Sequence, residues 1–423
     1  MEKYYDVLIM GAGPAGLAAA ITVKESAPQL SVLLLEKKEQ AAKKLRAAGN
    51  GRGNLSNSRC EDLEEVLRFF SQNGIAVRLD SEGRIYPYSE EADAVAEALL
   101  SRARGLGVEI YTGIKVRDAK AADGKGFRVF FAAESGAGSG GTAAAAAGAS
   151  SDNAGAEAAL GCARFLIASG GKSFAAYGST GDGYGLARAL GHNVNALVPA
   201  LTAVEVAEDL RPLRGVRAKG IVSLFSGGDL VFQESGEIQF REDALSGICV
   251  MNLSSQLPAS PHDFAGLKIM INLVPDFEAA GLIDFLRAKQ KLPGQSAGGL
   301  LETLVKRPLA DAVLRAAALE KGAAAASLSA ADLVRIANAL RGFTLTPTGR
   351  KGWKEAQVTR GGVALAEVNQ KTLASLIVPG LYFAGEVLDY DGPCGGYNLH
   401  HAWLTGIRAG RAIAQSFSAP SGD

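Results

Sequence analysis

The chain has 423 residues, enough for two or three domains with a substantial core. Its 44 basic and 44 acidic residues cancel, which argues against broad attraction to nucleic acid or to an anionic membrane and leaves small molecules as the expected partners. The longest apolar stretches fall short of the about eighteen residues that a membrane span needs, and the N-terminus enters its first strand without a signal peptide. The four cysteines, Cys60, Cys162, Cys249 and Cys394, form no C-x-x-C pair. The histidines His400 and His401 are adjacent and do not share a helix face, so no metal site is expected. The expectation is a soluble, cytoplasmic protein with no metal and no membrane contact.

In chain order, the apolar run Val7 to Met10 suits a parallel strand buried on both faces, and Val32 to Leu35 suits its neighbour. Between them lie Gly11-Ala-Gly13-Pro14-Ala15-Gly16 and one helix's worth of chain. This strand, glycine turn and helix form a dinucleotide fingerprint: the first glycine allows the turn, the second lets a pyrophosphate approach, and the third allows close helix packing. Glu36 ends the second strand about twenty residues on, where a carboxylate can hold both hydroxyls of an unphosphorylated ribose. That acid favours FAD or NAD over NADP. Gly136, Gly138 and Gly141 repeat the pattern within an Ala/Gly/Ser tract, with no strand before and no helix after, and are read as chance.

The loop Ala48 to Asn57 is rich in glycine and asparagine and follows the ribose acid directly, so cofactor contact is expected there, with Arg52 among the glycines. Amphipathic helices are expected from Glu61 to Gln72 and from a Ser89 cap to Gly105, with the extended run Arg84 to Tyr88 between them read as packing. Strands follow at 108–111, 127–133 and 165–168. The tract 136–159 is too poor in large apolar residues to fold and is read as a flexible insertion at a hairpin tip. After Phe165 the chain enters Ala168-Ser-Gly170-Gly and Gly178-Ser-Thr180-Gly-Asp182-Gly, where Thr180 and Asp182 read as helix caps.

From about Asn195 the pattern changes to short alternating segments with glycine turns, at 202–206, 220–225, 230–233 and 268–273, and then to helices at 282–291, 298–321 and 329–340. The last of these opens with a Ser329-x-x-Asp332 capping box. The fold expected is α/β, a Rossmann-like dinucleotide-binding domain in two parts, 1–194 and 346–423, with an inserted small antiparallel sheet or β-barrel and helical domain at 195–345. A strand at Leu381 runs into Gly385-Glu386 and then Gly395-Gly396-Tyr397-Asn398, where a final helix opens. This repeats the N-terminal geometry, so two helix N-termini could grip one long ligand.

Taken together, the Gly11 to Gly16 turn, the Asn50 to Asn57 loop, Gly178 to Gly183, Ala356 to Gly362 and Phe383 through Asn398 resemble the YhiN-like flavoproteins. That family is also described as aminoacetone-oxidase-like or as NAD(P)/FAD-dependent oxidoreductases, and includes proteins similar to bile-acid-pathway reductases. The resemblance covers nearly the whole chain outside 136–159. It implies FAD, with the ribose on Glu36, the pyrophosphate at Gly13 to Gly16, and the ribityl and flavin end near Gly385, Glu386 and the Gly395 to Asn398 turn. On that basis the candidate cofactor contacts are Gly11, Gly13, Pro14, Ala15, Gly16, Glu36, Lys37, Lys44, Gly51, Arg52, Asn54, Gly170, Gly385, Glu386, Asp389, Gly395, Gly396, Tyr397 and Asn398. Relatives usually read Gly-Arg-Cys-Asn in the first loop, whereas this chain has Gly51-Arg52-Gly53-Asn54, so a thiol there is absent.

The function expected is hydride transfer through flavin N5 between NAD(P)H and a small organic substrate. No second nucleotide fingerprint is present, so NAD(P)H would dock transiently at the flavin face. Candidates for proton transfer are Tyr397, Tyr390 and Asp391, with Arg52 to hold an anionic substrate; Cys394 reads first as a neutral thiol filling a small space, with a redox thiol as the alternative. An oxygen-using oxidase of a small amine and a non-catalytic flavin-binding regulator stand as alternatives.

Overall fold

A computed structural model describes residues 3–122, 126–133 and 158–418. The tract 136–157, with the second glycine pattern, lies outside them. Ala158 and Ala159, grouped above with that tract, open a strand that runs to Ile167.

The chain divides into two compact units, Met1–Val198 with Val358–Asp423, and Pro199–Gln357. In the first, the strand Tyr4–Met10 lies parallel between Val32–Leu35 and Ala158–Ile167, with Ile9 opposite Leu34 on one side and Leu166 on the other. The sheet continues through Glu109–Tyr111 at one edge. Beyond Ala158–Ile167 it forks. The N-terminal half of that strand takes the antiparallel Gly126–Ala133, and its C-terminal half takes the parallel Leu381–Phe383. Strands paired on both edges and covered on both faces need apolar side chains throughout, and Val7, Leu8, Ile9, Leu33, Leu34, Phe165, Leu166 and Ile167 are all fully buried. The strand Ile114–Ala122, absent from the sequence reading, pairs with Gly126–Ala133; its charged residues hide its periodicity.

Helix Pro14–Ser26 and the final helix Tyr397–Gln415 cross at small residues. A Cβ on Gly406 would strike the Ala15 carbonyl, and one on Gly410 would come within 2.6 Å of the Ala19 carbonyl. The final helix therefore approaches the first more closely than side chains would permit. Helix Leu63–Gln72 buries Val66, Phe69 and Phe70, and both phenyl rings pack on Trp403 of the final helix. The second helix expected there begins at Ala92, after Glu91, and Ser89 does not cap it.

The second unit holds a seven-stranded sheet in which Arg217–Ser226 pairs antiparallel with Asp229–Phe240 and with Leu267–Asn272. Its edges are Phe343–Leu345 and Pro347–Arg350, the latter paired with Val204–Val206. That pairing carries the unit past residue 345, to Gln357. The long helix expected at 298–321 is two helices, Ala297–Leu301 and Arg307–Ala316, because Pro308 lacks an N–H and sits at the start of the second. Ser329 and Asp332 form the capping box as read. Among the described residues no helix is long and apolar enough to cross a membrane.

Candidate functional site

At the C-terminal edge of the parallel sheet the first turn leaves helix N–H groups without partners among the described residues. Gly11 N–H donates to the Leu35 carbonyl at 2.8 Å, and Leu17 N–H makes the first helical bond, to Gly13. Gly13 provides no side-chain cap, Pro14 occupies the first position, and the space where a Cβ on Gly13 would stand is empty to 4 Å. The amides of Gly13, Ala15 and Gly16, with no partner among the described residues, and the helix dipole are therefore free to meet an anion. Gly16 is needed for a reason closer than sheet packing, since its Cβ would strike the Gly11 carbonyl of the turn itself.

Glu36 closes this turn from the side. Its carboxylate accepts from Ala12 N–H at 3.0 Å and from Lys38 N–H at 2.9 Å. Burial pushes its carboxyl above the usual range, against the pull of those amides and of Lys37. Gly178 comes alongside, its Cβ position 3.8 Å from Glu36 Oε1. Thr180 and Asp182 do not cap the helix Asp182–Ala189, whose cap is the left-handed Gly181. They bind Lys37 instead, with the ammonium 2.5 Å from Asp182 Oδ2, and Lys115 stands 3.3 Å from the other oxygen. Burial opposes ionisation of Asp182, but the bonds from Lys37 and Thr180 outweigh it and hold its carboxyl below the ordinary value.

A second constellation centres on Glu386. Its carboxylate takes Lys44 Nζ at 2.7 Å, Thr359 N–H at 2.9 Å and Ser173 Oγ at 3.1 Å, and Lys44 also reaches Ser173. Tyr184 donates its phenol to the Glu386 carbonyl. Gly385 N–H donates to Thr405 Oγ1, while its own Cβ position lies 2.9 Å from Ala15 Cβ. Gly385 thus sits at the junction of the first and last helices. Gly170 has φ +72°, with its Cβ position 3.2 Å from Ser179 Oγ.

The loop expected to touch the cofactor is clamped to the turn before the last helix. Asn57 donates to the Gly395 carbonyl at 2.9 Å, Ser56 Oγ lies 2.9 Å from His400 Nδ1, and Trp403 donates to the Leu55 carbonyl at 3.1 Å. Gly396, at φ +103°, could carry no side chain, because a Cβ would strike the Ser56 carbonyl. Asn54 Oδ1 is buried beside Gly396 and has no hydrogen-bond partner among the described residues.

Other candidates are placed differently. Arg52 pairs with Glu90 at 2.6 Å and lies over the Tyr86 ring, half exposed, while the Gly51 carbonyl accepts from Ala92 N–H. Asp389 accepts from Asn195, and Asn398 closes its side chain on both backbone groups of Gly392. Tyr397 opens the final helix, and Asp391 and Cys394 are partly buried in the turn ahead of it. Ser173, Thr359 and His400 were missed as site residues. Thr359 stood in a motif already singled out, but Ser173 carries no pattern that sequence reading could use.

With this geometry in view, a family profile described as HI0933-like protein Rossmann domain matches residues 62–412, and an FAD-binding domain profile matches residues 6–66. The chain belongs to the HI0933-like family. Over 96% of its length it is 32% identical to the 3-dehydro-bile acid delta(4,6)-reductase of Clostridium scindens, covering 98% of that protein. It is 27% identical over 95% of its length to the ribosomal RNA dihydrouridine synthase of Escherichia coli, covering 96% of it. Like its family, the chain is an FAD-dependent oxidoreductase. The residues present suit that dinucleotide: open amides at Gly13 for a pyrophosphate, a buried acid at Glu36 beside them, and an orphaned carbonyl oxygen at Asn54 for a donor.

Proposed function

We propose that this HI0933-like oxidoreductase reduces a ring carbon–carbon double bond conjugated to a carbonyl in a small molecule, with NAD(P)H as the electron donor. The observation that carries the reading is the full-length likeness to a delta(4,6)-reductase at 32% identity. The second relative's name also denotes hydrogen added across a ring double bond, that of uridine. Two relatives with different substrates thus share one bond change, and the chemistry is the safer inheritance.

In this reading the adenosine ribose lies on Glu36, the pyrophosphate at the amides of Gly13 to Gly16, and the ribityl and flavin end at Gly385, Glu386 and the Gly395 to Asn398 turn. Bound FAD would supply hydride transfer through N5. The chain's part is to hold and orient. The Lys44, Glu386, Ser173 and Thr359 cluster fixes the backbone at Gly385. Asn57 and Asn398 fix the turn at Gly392 to Gly396, so that the start of the final helix presents partial positive charge to an anionic ring. The inserted unit is read as a small barrel with helices, since its edge strands are separated by Thr346 alone.

The test is anaerobic absorbance spectroscopy of the FAD-loaded protein. Rapid bleaching by NADH or NADPH, followed by reoxidation on adding a cyclic enone, is expected. Flavin that ignores both nucleotides would sink the reading and turn attention to amine donors and oxygen. A second reading, reduction of uridine in RNA, is favoured by the Escherichia coli relative; the balanced charge of 44 basic and 44 acidic residues gives it no electrostatic support.

A further inference from the structure

Two rings, one in the turn before the final helix and one in its first turn and a half, carry polar atoms with no hydrogen-bond partner among the described residues. The rings of Tyr390 and His401 are stacked, with centroids 3.9 Å apart and planes 14° from parallel. The turn makes room for them at Gly392, where a Cβ would come within 2.7 Å of the Tyr390 hydroxyl and 2.9 Å of Tyr397 Cβ. His400, the next residue, uses both ring nitrogens, on Ser56 Oγ and the Glu61 carbonyl. His401 does not. Its Nε2 is buried with no hydrogen-bond partner among the described residues, and the Tyr390 hydroxyl donates to none of them.

Buried polar atoms are nearly always paired, so the orphaned Nε2, in a ring stacked on a tyrosine whose hydroxyl also has no hydrogen bond to the described residues, points to a ligand atom that completes the set. Both groups are neutral at ordinary pH. Burial, with His400 alongside, pushes the His401 imidazole down to about 4. Burial, with Cys60 and Asp391 nearby, pushes the Tyr390 phenol up to about 12, so it keeps its proton and remains a donor. Two neutral groups suit an uncharged oxygen better than a carboxylate, which would bring an unpaired charge with it.

We infer that Tyr390 and His401 form the subsite for the ring carbonyl oxygen of the substrate, Tyr390 donating its O–H and His401 Nε2 making the second contact. The inference rests on the conjugated-carbonyl reading above and deepens it. Hydrogen bonds to that oxygen draw electron density out of the conjugated double bond and make its far carbon the better hydride acceptor. The shared chemistry is a carbonyl conjugated to a ring double bond, whether in an alicyclic ketone or in a pyrimidine.

The experiment is calorimetric binding to the oxidised, FAD-loaded protein. The probes are androst-4-ene-3,17-dione, its analogue androst-4-en-17-one, which lacks the 3-carbonyl, and uridine 5′-monophosphate. Wild type is compared with Tyr390→Phe and His401→Phe, which keep both rings in the stack, and flavin content is measured alongside. Each substitution is expected to weaken binding of the dione about fivefold while leaving the 17-one unchanged. The same selective loss with the nucleotide in place of the dione supports the subsite and makes its occupant a pyrimidine. Equal losses for dione and 17-one, or no loss at all, overturn the subsite while leaving the reductase reading intact. A wild type that binds none of the probes overturns the subsite and the conjugated-carbonyl reading together.

Discussion

Lys44 and Glu386 are 342 residues apart in sequence and meet at 2.7 Å, both largely shielded from water. The pair joins the helical turn Lys43–Arg46 after the second strand to the turn that leads into the final helix. Glu386→Ala would leave the Lys44 ammonium, the Thr359 amide and the Ser173 hydroxyl short of an acceptor. We expect it to cost about 2 kcal/mol, a figure below that for a fully buried pair because some water reaches the site. Lys44→Met should cost less, since Glu386 keeps its other two donors. Denaturant unfolding of both variants gives the order, and a reversed order would show that the lysine, not the acid, organises the cluster.

Glu36→Gln preserves side-chain volume and removes the charge. In the proposed placement of the ribose it weakens FAD retention about tenfold, the loss expected when a charged acceptor becomes neutral. Equilibrium dialysis of FAD against apoprotein measures it. Undiminished affinity would move the ribose away from Glu36.

The crossing of the first and last helices makes a sharper demand. Gly406→Ala places a methyl group against the Ala15 carbonyl, which is backbone and cannot rotate away. The expected destabilisation is about 1–3 kcal/mol, with some loss of FAD because the first helix carries the open amides at its start. Gly352→Ala is the control, as its Cβ would meet nothing within 4 Å. Equal melting temperatures for the two variants would show that the helices separate at little cost.

Stability should fall in mild acid. His401 is held neutral in the folded protein, with its imidazole down at about 4, whereas in the unfolded chain it titrates near 6.5. Between those values the unfolded state binds the extra proton, so stability is full above about pH 6.5 and is lost as pH falls toward 4. His400, also lowered by burial, adds to the loss in the same direction. His401→Asn removes the titrating group. Its unfolding free energy should therefore decline less than that of wild type between pH 7 and pH 4.5. Parallel declines would place the acid sensitivity elsewhere.

What the sequence by itself determined is whatever depends on local pattern. The strands at Val7 to Met10 and Val32 to Leu35 were legible because central parallel strands bury both faces and so read as unbroken apolar runs. The glycine turn, Glu36 and the Ser329 to Asp332 box were legible because a few adjacent residues decide their geometry. The edge strand Ile114–Ala122 was not, since one wet face admits charge and blurs the period. Only the tertiary structure decided the partners of the polar groups. Thr180 and Asp182 are sound capping types that Lys37, 145 residues from Asp182, draws away from that role. Arg52 sits among glycines yet faces Glu90. His400 and His401 are neighbours in sequence, and a helix turns one toward Ser56 and the other onto Tyr390. Local pattern fixes backbone shape, but the partner of a side-chain charge or hydrogen bond is a matter of distance in space, which residue order does not record.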